Sequence, residues 1–132
     1  MGKLLISYQP HDPLAKAFQL QLQRRSADNW DYPAVEFHEQ LTDLPATGRK
    51  QREQKRQAQR LIKQARQILI VISRDTWQSE RVDWEIATAI RYDKQLLAAK
   101  LDAANIVPLA LISADPQWID PFDPLALSQR HI

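Results

Sequence analysis

The chain has 132 residues, 44% of them apolar and 26% charged, the size and make-up of one globular domain over residues 1–132 with its own core. No cysteine and only three histidines exclude disulfides, thiol chemistry and a structural zinc site. No apolar run nears the ~18 residues of a membrane span, and Leu4-Leu5-Ile6 after Lys3 is too short for a signal-peptide core, so the expected compartment is the cytoplasm.

Residues 3–8 read as a buried first strand. Asp12 then suits a helix N-cap with Pro13 at the first helical position, and Leu14, Ala17, Phe18 and Leu22 recur at helical spacing to about residue 25. Residues 34–37 predict a short second strand, followed by a polar loop over 38–48. A basic helix over 49–66 carries eight Lys/Arg against the single acid Glu53, so it holds +7 and the rest of the chain −5. Only its later half shows an apolar stripe (Ala58, Leu61, Ile62, Ala65); the first half is polar all round.

Residues 67–73 form the central strand, ending at Ser73, and a polar turn leads into a helix over 79–92. Val82, Ile86, Ala89 and Ile90 face the sheet; at ~100° per residue Glu85 falls at the rim of that stripe and Trp84 points nearly away from it. A fourth strand is expected over 95–101, a short helix over 108–113, a fifth, edge strand over 117–122, and a terminal helical turn over 125–129. This alternation implies an α/β domain with a parallel sheet wrapped on both faces. In such sheets ligands bind beyond the carboxyl ends of the strands. Glu85, just past the end of the central strand with Trp84 beside it, is the candidate for work on a bond to a sugar carbon. It should open onto a nucleotide-sized hollow there. The plainer reading makes it a solvated helix Glu paired with Arg81 at i,i+4.

Several segments resemble the TIR-like domains of bacterial immunity, in particular the small stand-alone proteins of Thoeris anti-phage systems. Leu4-Leu5-Ile6-Ser7-Tyr8 before a polar turn and Asp12 looks like the family's first box. Residues 68–73, Thr76-Trp77, Ser79, Val82-Asp83-Trp84-Glu85-Ile86 and Ala89 look like its third strand and the helix bearing its catalytic glutamate. Residues 94–102 and 107–111 resemble the next strand and short helix. The chain departs from the pattern in its 38–48 loop, which lacks the Arg-Asp and Pro-Gly pairs of animal receptor TIR domains, and in Asp93-Lys94, where Gly-Lys is more usual.

The resemblance implies a single three-layer, flavodoxin-like domain with strand order 2-1-3-4-5. It further implies cleavage of NAD, as substrate and not as cofactor, at the nicotinamide–ribose bond, with Glu85 catalytic. Hydrolysis gives ADP-ribose; cyclisation gives a cyclic ADP-ribose-type signal for a separate effector protein, the outcome favoured for a stand-alone domain. Ser7 and Tyr8 are placed either to contact phosphate or ribose and stack on a base, or to serve as a strand-end hydroxyl and a core tyrosine. His38 either touches substrate from the loop after the second strand or stands exposed. Trp77 either stacks on nicotinamide or adenine or anchors the turn in the core. An outward Trp84 marks a protein interface. The basic helix is foremost a solvated face. Second, with Arg52 and Arg56, it is a surface for homo-oligomer or filament assembly or for a partner. Nucleic acid ranks last, since no aromatics interleave the charges. No metal or membrane is implied. Three rival classes remain. A TIR-like adaptor would work by assembly alone. A deoxyribosyltransferase-like enzyme also sets a Glu against a glycosidic bond. A phosphorelay receiver is poor, because Ser73 stands where its Asp should be.

Overall fold

The computed structural model describes residues 3–28, 35–39 and 48–123. Among these residues five strands and four helices alternate: β1 (Lys3–Tyr8), α1 (Pro13–Asp28), β2 (Val35–Glu39), α2 (Arg49–Gln64), β3 (Ala65–Ile72), α3 (Glu80–Arg91), β4 (Gln95–Lys100), α4 (Leu109–Ala114) and β5 (Gln117–Ile119). A 3₁₀ turn at Thr76–Gln78 links β3 to α3. All strand pairs are parallel, in the order β2-β1-β3-β4-β5. The fold is therefore the three-layer, flavodoxin-like α/β arrangement.

Period-two alternation divides the strands between two cores. On one face Leu4, Ile6 and Tyr8 of β1 and Leu69 and Val71 of β3 pack under Ala15, Phe18 and Leu22 of α1. On the other, Leu5 and Ile68, Ile70 and Ile72 pack under Ile62 of α2, Val82, Ile86 and Ala89 of α3, and Leu111 of α4. A strand buried on both faces must be apolar throughout, which is why β3 reads Ile-Leu-Ile-Val-Ile.

Polar side chains set the ends. The Asp12 carboxylate accepts from the Leu14 and Ala15 amides at 2.9 and 3.2 Å, as an N-cap should. Its second oxygen accepts from the Arg74 amide at 3.4 Å, joining the start of α1 to the end of β3. Gly48 precedes α2 with φ +103°, a left-handed value that a side chain would strain. Asp93 takes φ +56° in the α3–β4 turn where glycine is usual, which a short carboxylate side chain tolerates.

Several boundaries differ from the expectation. α1 runs on to Asp28, since no Gly or Pro stops it after Arg25. α2 ends at Gln64, and Ala65 is the first residue of β3, not the last of the helical stripe, because it pairs with Lys3. β5 keeps three residues; Asp120 caps the Phe122 amide at 2.8 Å and turns the chain away. β2 extends through Glu39, so His38 lies on the strand and not on the loop after it. The cause is its pairing with β1, which continues through Ser7↔His38 and Tyr8↔Glu39. Residues 40–47 of the loop expected over 38–48, and the helical turn expected over 125–129, lie outside the described residues.

Candidate active site

Register brings three elements to one carboxylate. Ser7 and His38 are partners on adjacent strands, so their side chains leave the same face of the sheet. That face is the one α3 covers. α3 is started by Ser79, whose hydroxyl accepts from the Val82 amide at 3.2 Å, and its apolar stripe, Val82, Ile86 and Ala89, sets its rotation. The rotation turns Glu85 inward, to 3% exposure.

Each carboxylate oxygen has its own partners. Ser7 Oγ donates to Oε2 at 2.7 Å. His38 Nε2 lies 3.2 Å from Oε1, with the ring 16% exposed. Arg81 Nε stands 3.7 Å from the same Oε1, beyond hydrogen-bond reach. The i,i+4 pair with Arg81 therefore exists, but not in solvent: the Arg81 side chain is only 9% exposed. Burial pushes its guanidinium below the usual arginine range, opposed in part by the Glu85 charge. Its Nε and Nη1 are buried with no hydrogen-bond partner among the described residues. The arrangement is a buried carboxylate held by a hydroxyl and an imidazole, with an under-bonded cation at its side.

A second polar group sits where β1 and β3 end. Ser73 Oγ donates to Gln9 Oε1 at 2.6 Å and lies 3.1 Å from Thr76 Oγ1, which in turn is 3.0 Å from the Ser73 amide. Gln9, Ser73 and Thr76 are all buried, and Gln9 Nε2 has no partner among the described residues. The sequence marked Ser73 as the end of the central strand, where a phosphorelay receiver would carry Asp, and Thr76 as part of the family-like segment; neither was named as a site residue. Gln9 was placed only in the turn after the first strand, because isolated polar residues near turns are ordinary.

The other expected residues fall as follows. Tyr8 points to the opposite face, buried in the α1 core with its ring edge-on to Phe37 at 6.1 Å between centroids. It takes the core role and does not join Ser7 at Glu85. Trp77, on the 3₁₀ turn, is 41% exposed, so it does not anchor that turn in the core; Thr76 does. Trp84 is half-buried and not fully outward, since α2 lies against α3 and Lys55 Nζ stands 5.6 Å from its ring centre. Arg52 and Arg56 are exposed on α2. A hollow of about 520 Å³ opens at the carboxyl ends of β3 and β4, lined by Asp12, Leu14, Ser73, Arg74, Asp102 and Ile106 among others. Glu85 does not line it, so the nucleotide-sized space expected at that carboxylate is not this hollow. Among the described residues there is no group of three or more His, Cys, Asp or Glu able to hold a metal, and no helix long and apolar enough to cross a membrane.

Residues 5–106 match the family described as Thoeris protein ThsB, TIR-like domain, a stretch that spans β1 through the segment after β4 and contains Ser7, His38, Arg81 and Glu85. The chain belongs to the ThsB TIR-like family. It is an anti-phage defence protein of the Thoeris type, a family whose work involves a partner effector. No curated protein matches the chain. Among solved structures, the ThsB-type chain is similar to a flavodoxin-like domain from a Synechococcus species, at 14% identity and a TM-score of 0.58, covering 92% of this chain and 83% of that one. It is also similar to part of the β-glucosidase EmGH1 from Erythrobacter marinus, at 12% identity and a TM-score of 0.56, covering 98% of this chain but 23% of the enzyme. At such identities both likenesses concern the fold alone.

Proposed function

We propose that this ThsB-type domain cleaves NAD at the nicotinamide–ribose bond with Glu85 as the catalytic carboxylate, and that its product is a cyclic ADP-ribose-type messenger read by a separate effector. The observation that carries the reading is the buried Glu85 carboxylate, fixed by Ser7 at 2.7 Å and His38 at 3.2 Å beyond the end of the central strand.

The chemistry asks little else. As the C1′–N bond breaks, its electron pair passes to the pyridinium ring, so nicotinamide departs neutral and no strong general acid is needed. Positive charge grows on the anomeric carbon and ring oxygen instead. A carboxylate held in place beside the ribose stabilises that charge without reorganising, as in oxocarbenium-like glycosidase transition states. In hydrolysis, water adds to C1′ and releases its proton to solvent. In cyclisation, an internal hydroxyl that sheds its proton, or a ring nitrogen of the same molecule, takes water's place, which requires water to be kept from the cation. Ser7 and His38 orient the carboxylate, so both are expected to matter through Glu85.

The alternative is a TIR-like adaptor that acts by self-assembly or partner binding, for which exposed Arg52 and Arg56 on α2 supply charge. Mass spectrometry of NAD incubated with the purified protein, with and without lysate of phage-infected cells, separates the two. Nicotinamide together with a cyclic product supports the proposal. Nicotinamide with ADP-ribose alone keeps the cleavage and removes the messenger. NAD intact under both conditions favours the adaptor.

A further inference from the structure

Arg81 is an expensive residue in the place where it stands. It occupies the first turn of α3, where the positive end of the helix dipole disfavours a cation and favours an anion. Its side chain is nine-tenths buried, yet two of its guanidinium nitrogens, Nε and Nη1, are buried with no hydrogen-bond partner among the described residues. A buried guanidinium is ordinarily forked onto a carboxylate by two short bonds. Here the nearest carboxylate oxygen is 3.7 Å away and already engaged by His38.

The neighbourhood also works against the chemistry proposed for Glu85. A cation beside that carboxylate weakens its hold on positive charge developing at a ribose carbon. The site functions best when the guanidinium is drawn elsewhere. A dinucleotide carries the group able to do this: a diphosphate has two negative charges and the oxygen geometry that a guanidinium fork matches. The α3 amino terminus adds to the attraction.

We propose that Arg81 is the phosphate-binding cation of this site. It waits near Glu85 in the free protein and transfers to the diphosphate when substrate enters, so that phosphate recognition and release of the catalytic carboxylate are one event. The inference rests on the reading that the site takes NAD, and it adds a selectivity: the site prefers ligands bearing a phosphate to the same nicotinamide riboside without one.

Calorimetry on the intact chain, with ADP-ribose and with phosphate-free nicotinamide riboside as probes, tests this. Glu85→Gln frees Arg81 without touching it, so this variant is expected to bind ADP-ribose more tightly than the unsubstituted protein. Adding Arg81→Gln should weaken ADP-ribose binding by about 10- to 100-fold, as for a lost charged hydrogen bond, and change nicotinamide riboside less than about threefold. Arg81→Lys should recover part of the loss, and urea unfolding curves establish that each variant is folded. Equal ADP-ribose affinity with and without Arg81, or equal losses for both probes, overturns the proposal, as does ADP-ribose binding that Glu85→Gln leaves unimproved. The two readings fail separately. A protein that releases nicotinamide from NAD but binds ADP-ribose independently of Arg81 sinks this inference alone. One that binds ADP-ribose through Arg81 but leaves NAD intact sinks the cleavage alone.

Discussion

Ser7 shows how far one hydroxyl reaches in this fold. It is buried on β1 and donates to Glu85 at 2.7 Å, so it meets much of the cost of taking that carboxylate out of water. Ser7→Ala is expected to lower folding stability by about 1.5–3 kcal/mol and to slow nicotinamide release, because the loss falls on a hydrogen bond to a charged group. Denaturant unfolding and a product assay on the same preparation check both; an unchanged unfolding midpoint contradicts the role given to the hydroxyl. Arg81 predicts the opposite sign. Burial of its charge outweighs the attraction of Glu85, so Arg81→Met removes an under-bonded cation and the thermal midpoint should stay level or rise. A fall of several degrees would mean that the guanidinium supports the free protein. No pH window attaches to this, since even a lowered arginine stays protonated wherever the protein is handled. Glu85 and Arg81 could be paired from their spacing in the sequence. That both are buried could not, because burial is decided by the rotation of α3 against β1 and β2.

At the scale of elements, His38 shows what local pattern misses. A histidine after a short apolar run reads as loop, and only pairing with β1 carries β2 on to residue 39. The edge strand thereby delivers the imidazole to a carboxylate 47 positions away. The start of α1 was legible, since Asp12 followed by Pro13 is a local signal, and the cap forms as expected. Asp12→Ala should cost about 1–2 kcal/mol in a thermal or urea melt, the upper part of that range reflecting the second bond to the Arg74 amide. No loss would mean that water replaces both. The basic helix was legible as half-packed: Ala58 and Ile62 are buried, whereas Arg52 and Arg56 face solvent. Arg52→Glu with Arg56→Glu should leave stability within about 0.5 kcal/mol per substitution. A change in sedimentation by that pair would make the helix an assembly surface; unchanged sedimentation with unchanged signalling would leave it a solvated face.

For the molecule as a whole, the sheet was the most legible part. Short strand patterns alternating with helical ones leave few arrangements, and β3, apolar on both faces, had to lie at the centre. Tyr8 marks the limit of that reading. Next to Ser7 in sequence, it lies on the opposite face of the sheet, because one residue along a strand reverses direction. A motif of adjacent residues therefore splits between core and site once the strand is formed. Family membership supports the defence role, and the buried carboxylate supports the chemistry proposed for it. The most direct test is nicotinamide release from NAD by the unsubstituted protein and by Glu85→Gln, each verified as folded by its unfolding curve. Release by the first and a loss of at least about 100-fold in the second is the predicted result. Equal release from both, or none from either in the presence of infected-cell lysate, would contradict a catalytic Glu85.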